Sequence, residues 1–156
     1  MTKNHTKLVA AALWLTAAAA AFAGSAHMGT WKLDESKSTF APGATKNQTV
    51  TYAEAEGDMI KLTVEGTDKD GKAVNWTWTG KFDGKQYKAE GNPIIDTVGY
   101  KATNDHTNTA KGMKGDKVVF TGTIKVAKDG KSRMVTTTLK DASGKKQTDK
   151  AYYDKQ

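Results

Sequence analysis

The nonapeptide VNWTWTGKF at positions 74–82 decides the fold class. Its apolar or small residues fall at 74, 76, 78, 80 and 82, and its polar residues fall between them. Because successive side chains of a β-strand point to opposite faces, this period of two places two indoles and a phenyl ring on one face. The stretch therefore predicts an antiparallel strand with one buried face and one wet face.

The same alternation extends over the chain from residue 29 onward. It is clear at residues 60–64 and 118–126, and Thr- and Val-rich stretches of strand composition lie at 48–54, 95–103, 133–140 and 148–154. Glycine-containing turn signals separate these stretches, as in the three Asp-Gly-Lys sequences at residues 70–72, 83–85 and 129–131. Residues 34–37 have the composition of a single helical turn. The pattern predicts eight to ten strands joined by hairpins.

A meander of this kind must close or leave long edges exposed. Closure into an antiparallel up-and-down β-barrel of about eight to ten strands pairs every edge and turns one face of each strand inward. A β-sandwich is the alternative, and it needs long connections, of which the chain offers only residues 34–46. We therefore expect an all-β barrel.

Composition limits the kind of function. The chain has 156 residues and no cysteine, which predicts one domain and excludes disulfides, thiolate metal sites and a cysteine nucleophile. The formal charge of +7 comes from dispersed lysines and a single arginine, Arg133, so a nucleic-acid interface is not predicted.

The first 26 residues have the form of a secretory signal peptide. Lys3 and Lys7 precede an uncharged run of 15 residues at 8–22, and small residues follow, so cleavage is expected after Ala23 or Ala26. The run is short for a membrane-spanning helix, although an uncleaved anchoring helix is a second interpretation. We expect a periplasmic or secreted protein without a membrane span, whose domain covers residues 27–156.

Three motifs carry a family resemblance. The sequence reads G-T-W-K-L-D-x-x-K-S-x-F from residue 29, F-D-G-K-x-Y from residue 82 and G-N-P from residue 91, and its last strand contains two tyrosines. Together these motifs resemble small secreted bacterial lipocalin-like proteins of the calycin superfamily, which includes lipocalins and fatty-acid-binding proteins. The resemblance covers nearly all of the chain after residue 29, and it implies a barrel that holds a hydrophobic ligand.

The resemblance also implies structural roles for Gly29, Trp31 and Arg133. In lipocalins the motif tryptophan plugs the closed end of the barrel beneath an arginine from a late strand. Trp31 matches that tryptophan, and Arg133 is the only arginine available to cover it. Lys150 or Lys155 is the alternative partner.

Catalytic constellations are sparse, and an enzyme is not expected. No serine stands in a nucleophile elbow, and the paired carboxylates fall at hairpin ends. His27 and His106 are interpreted as exposed, and no metal or cofactor site is predicted. Ligand binding is the first functional hypothesis and protein interaction is the second. A metal or haem site at these two histidines is the third. We expect a monomer that binds a small hydrophobic molecule such as a fatty acid. The residues predicted to line the pocket are Tyr52, Leu62, Val64, Trp76, Trp78, Phe82, Tyr100, Phe120 and Ile124.

Overall fold

The computed structural model describes residues 25–141 and 143–156, so most of the predicted signal peptide lies outside the described residues. A short 3-10 turn, Ser25–His27, precedes the first strand. Ten strands follow: β1 (Gly29–Thr39), β2 (Lys46–Ala55), β3 (Met59–Thr67), β4 (Ala73–Gly80), β5 (Tyr87–Glu90), β6 (Thr97–Asn104), β7 (Thr107–Lys114), β8 (Lys117–Val126), β9 (Ser132–Lys140) and β10 (Lys146–Lys155).

The strands form a closed antiparallel barrel. Each strand pairs with its neighbours in sequence, and β1 pairs with both β2 and β10. Closure gives every strand a partner on both sides, which removes the exposed edges of an open sheet. The predicted up-and-down barrel is confirmed, and the sandwich alternative is wrong.

Alternation along the strands builds the core. In β3, Ile60, Leu62 and Val64 are buried, while the residues between them are more exposed. The strand register aligns buried residues of neighbouring strands. Val64 of β3 pairs with Val50 of β2 on one side and with Trp76 of β4 on the other. Trp31 on β1 pairs with Val50 and is fully buried. The inward faces therefore form one continuous apolar interior.

Residues 34–37 form part of β1 and not a helical turn. The pairing of β1 with β10 shifts register between Asp34 and Thr39, which marks a bulge. The Asp34 carboxylate accepts hydrogen bonds from the amide and the hydroxyl of Ser36, and the Asp34 carbonyl accepts one from the Ser38 hydroxyl. These local bonds satisfy the polar groups of the bulge, so the residues favour a kink in the strand.

The predicted hairpin at residues 83–85 is also different in the structure. These residues lie in a longer connection between β4 and β5, and that connection bonds directly to β6. The Gly84 amide donates to the Tyr100 carbonyl at 2.8 Å, and the Ala102 amide donates to the Phe82 carbonyl at 3.2 Å. Because β5 has only four residues, these bonds complete the wall beside it.

The two ends of the barrel differ. The closed end holds Trp31 and the loops that follow β2, β4, β6 and β8. The open end, or mouth, is formed by the loops that follow β1, β3, β5, β7 and β9, and those after β1, β5 and β9 line the interior. Within residues 25–141 and 143–156, no helix has the length and apolar character needed to cross a bilayer.

Candidate functional site

A cavity of about 400 Å³ occupies the barrel between the closed end and the mouth. Its wall is mainly apolar and comes from strands all round the barrel, with residues 40–45, 92–95 and 140–141 at the mouth. A volume of this size is typical of small-molecule sites. The interior is therefore not completely filled by its own side chains.

Seven of the nine predicted pocket residues line this cavity. They are Tyr52, Leu62, Val64, Trp76, Tyr100, Phe120 and Ile124. Alternation is sufficient to find them, because each lies on the inward face of its strand. The same signal extends to lining residues that were not singled out, including Val50, Val135, Leu139, Ala151 and Tyr153.

The remaining two predicted pocket residues, Trp78 and Phe82, do not line the cavity. Trp78 is 1% exposed and donates from Nε1 to the Val98 carbonyl at 2.9 Å. Its ring stacks on Phe82 at 6.3 Å between centroids and meets Tyr100 edge-on at 4.9 Å. Both residues lie nearer the closed end, where packed aromatic rings fill the barrel.

The structure places Arg133 against Trp31 in the plug of the closed end. The guanidinium carbon of Arg133 is 4.8 Å from the centre of the Trp31 ring, 5.3 Å from that of Tyr52 and 4.7 Å from that of Tyr153. Lys155 also approaches Trp31, with Nζ 5.1 Å from the ring centre. Trp31 is thus in contact with two cations, each attracted by the negative face of an aromatic ring. Gly29 takes a φ of 99°, and a Cβ there would meet the Lys155 side chain at 3.0 Å.

Arg133 is a buried cation with unused donors. It is 3% exposed and lines the cavity, yet Nε and Nη1 have no hydrogen-bond partner among the described residues. Among the described residues, no acidic side chain forms an ion pair with Arg133. Desolvating a charge without compensating hydrogen bonds is costly, so an acceptor supplied from the cavity would lower the free energy of this site.

Tyrosines next to Arg133 are neutral donors and acceptors. Burial raises the pKa of Tyr100 well above its usual value and that of Tyr153 to about 12. The Tyr153 hydroxyl donates to the Asn47 carbonyl at 2.8 Å. Because these phenols stay protonated at physiological pH, the positive charge of Arg133 is not cancelled by them.

The interpretation of His27 as an exposed residue is wrong. His27 is fully buried, its carbonyl accepts a hydrogen bond from Trp31 Nε1 at 2.8 Å, and its ring lies 6.1 Å from that of Phe82. Burial, helped by the charge of Arg133, lowers the pKa of His27 to about 4. His106 is half-buried. Among the described residues, no group of three His, Asp or Glu side chains is placed to hold a metal ion.

The mouth of the cavity is more polar than its middle. The Asp149 carboxylate lines it and accepts a hydrogen bond from the Ala41 amide at 2.7 Å, which ties the β1–β2 loop to β10. Asn47, Asn92 and Gln147 also line the cavity near this end. From the closed end to the mouth, the lining thus changes from the Arg133 cation through an apolar wall to amide side chains and charged side chains of both signs.

Comparison with known proteins finds a fold likeness only. No protein-family model matches the chain, and no curated protein matches it. Among solved structures, the chain is similar to a redesigned β-barrel, mFAP1, bound to DFHBI, with 12% identity and a TM-score of 0.47 over 86% of this chain and 98% of that one. A likeness at this level assigns neither a family nor a ligand to the chain.

Proposed function

We propose that the protein is an exported, non-enzymatic carrier of a small hydrophobic molecule with one anionic group, such as a fatty acid. The observation that supports this function is Arg133, a buried cation on the cavity wall with two unpartnered N–H donors among the described residues. A carboxylate that reaches either donor would accept a charge-assisted hydrogen bond from it. The tail would then extend along Trp76 and Phe120 toward the mouth.

The apolar tail supplies most of the binding free energy, and the head group adds to it. Burying about ten methylene groups gains roughly 8 kcal/mol, which is close to the 8.2 kcal/mol of a micromolar Kd. Association costs of about 4 kcal/mol or more must be subtracted from that gain. A hydrogen bond to a charged group contributes about 1.5–3 kcal/mol, so the head group recovers part of that cost.

Decanoate and decanol test the proposal because they share a tail length and differ in charge. In isothermal titration calorimetry, the wild-type protein should bind decanoate at least tenfold more tightly than decanol. Arg133→Met, which replaces the aliphatic part of the side chain by an apolar one and removes the guanidinium, should abolish this preference while leaving decanol affinity within about threefold. A variant that still prefers decanoate over decanol as strongly as the wild type does contradicts the role of Arg133. Binding of neither probe by the wild type contradicts the carrier function and favours a protein-interaction module.

Export of the carrier rests on the sequence of residues 1–26, with its two lysines, its apolar run and its small residues. N-terminal sequencing of exported material should give a chain that begins at Gly24 or His27. Recovery of a chain with intact Met1 in the membrane fraction would contradict the export proposal.

A further inference from the structure

The outer surface of the barrel is unequally charged. Strands β4, β6, β7, β8 and β9 contain no acidic residue, whereas β1, β2, β3, β5 and β10 each contain at least one. Exposed lysines project from the outer side of β6–β10, and we call this surface the basic face: Lys101, Lys111, Lys125, Lys140, Lys146 and Lys150. None of the six forms an ion pair in the described part of the chain. Lys114, at the end of β7, pairs with Asp96, and Lys37, Lys46 and Lys88 on other strands pair with Asp34, Glu35 and Glu90.

Threonines fill the space between these lysines in two rows that cross the strands. In the first row, Thr109 pairs with Thr123 and Thr123 pairs with Thr136. Lys101 and Lys150 stand at the two ends of this row. Neighbouring strands lie about 4.8 Å apart, so the four steps from Lys101 to Lys150 span roughly 19 Å. The row offers a linear series of hydroxyls between two cations.

The second row runs parallel to the first and contains Lys111, Thr121, Thr138 and Thr148. The Thr138 and Thr148 hydroxyls are 3.3 Å apart. Hydroxyls both donate and accept hydrogen bonds, so the two rows suit a partner that carries hydroxyl groups of its own.

A shallow, open groove lies on this face. One side of it is built by the connection after β4, which crosses over β6 at Gly99. A Cβ at Gly99 would lie 2.9 Å from the Gly84 carbonyl oxygen, so only glycine permits this crossing. Lysines and threonines of the two rows line the rest of the groove, and its lining contains neither an acidic nor an aromatic residue. The nearby Asp83 carboxylate accepts hydrogen bonds from the Tyr87 hydroxyl at 2.8 Å and from the Lys85 amide.

From this geometry we infer that the basic face binds an anionic polysaccharide, laid along the threonine rows with its acidic groups at the lysines. Unpaired lysines select an anionic partner by charge complementarity. The rows lack arginine and aromatic side chains, which nucleic-acid interfaces use for phosphate forks and base stacking. They present hydroxyls and not the large apolar side chains that enter a bilayer. A hydroxylated, negatively charged chain is the partner that these groups fit.

Binding to heparin and to polygalacturonate, as sulfated and carboxylated probes, tests this inference. The triple variant Lys101→Gln, Lys111→Gln, Lys125→Gln removes three charges from the basic face. The control Lys32→Gln, Lys61→Gln, Lys88→Gln removes three exposed charges from β1, β3 and β5. At 0.15 M salt, the first variant should lose at least tenfold in affinity for the polysaccharide that the wild type binds, and the control at most twofold.

A second variant tests the hydroxyl row separately from charge. Thr109→Val keeps the shape of the side chain and its β-propensity, and it should weaken polysaccharide binding about two- to fivefold without lowering Tm. Decanoate affinity, measured in parallel, should be unchanged in all three variants, which separates this surface from the cavity.

Three results would overturn the inference. Equal losses in the two triple variants would show that only net charge matters. Wild-type protein that binds neither polysaccharide would remove the proposed partner. Tighter binding to single-stranded DNA or to phosphatidylglycerol vesicles than to either polysaccharide, lost in the basic-face variant, would assign this face to a different class of partner.

Discussion

Replacing Trp76 or Trp78 by alanine separates the cavity wall from the packed closed end. Trp78 is fully packed, and its loss should cost about 3–5 kcal/mol for the core aromatic and about 1 kcal/mol for the hydrogen bond to the Val98 carbonyl. For a domain of this size the sum lowers Tm by roughly 10–25 °C. Trp76 lines the cavity, so part of its ring has no packed neighbour and its removal should cost about 3 kcal/mol, the low end of the range for a large core aromatic.

The effects on ligand affinity should be reversed. Contact with the Trp76 ring buries roughly 60 Å² of ligand and protein surface, worth about 1.5 kcal/mol, or about tenfold in Kd. Trp78→Ala should change the Kd for decanoate by less than threefold at a temperature where the variant is folded. Circular dichroism melting and calorimetric titration of both variants measure the two effects. A larger affinity loss in Trp78→Ala than in Trp76→Ala, with a smaller fall in Tm, would refute the placement of the cavity.

Three further perturbations address the plug, the buried histidine and the cavity wall. Trp31→Ala should cost about 3–5 kcal/mol of unfolding free energy, and a double-mutant cycle with Arg133→Met should show a coupling of at least about 0.5 kcal/mol; strict additivity would contradict the stacking. Because burial lowers the pKa of His27 from 6.5 to about 4, the unfolded chain binds the proton first, so stability should fall by about 3 kcal/mol as pH decreases from 6.5 to 4. Urea unfolding should show this slope in the wild type and not in His27→Leu, and a flat wild-type profile would contradict it. Gly112→Ala places a Cβ against the Phe120 ring, which should push the ring into the cavity and weaken decanoate binding several-fold in calorimetry; unchanged affinity would show that the ring moves elsewhere.

The alternation of residue types was sufficient to predict the strands and the inward face of each. Tyr52, Leu62 and Ile124 were identified as interior residues because period two assigns every second side chain to one face. The short connections then required a meander, and the need to pair its edges required closure. These steps use only local pattern and general topology, which is why they succeeded without a structure.

Depth along the barrel axis could not be predicted in the same way. Trp76 and Trp78 share a face and a residue type, but only the register of β4 against β3 and β5 places Trp78 beside the closed end. Phe82 lies beyond the last residue of β4, in the connection that bonds to β6. Register depends on pairing across the whole barrel, and no single stretch of sequence contains it.

Residues outside the alternating pattern were harder still to assign. His27 precedes β1 and belongs to no strand, so nothing in the sequence predicts that its carbonyl accepts the Trp31 indole. Arg133 was expected near Trp31 through the family resemblance, but its two unpartnered donors are visible only when the surrounding side chains are in place. The composition of residues 34–37 favoured a local helical turn, whereas pairing with β10 holds them in a bulged strand.

A crystal structure of the protein soaked with decanoate tests the central claim most directly. The proposal predicts continuous ligand density inside the barrel, with a carboxylate oxygen about 2.7–2.9 Å from Nε or Nη1 of Arg133 and the tail along Trp76. A carboxylate at the mouth near Lys140, with the tail pointing toward the closed end, would contradict the role of Arg133. A cavity without ligand density at saturating decanoate would contradict the carrier function itself.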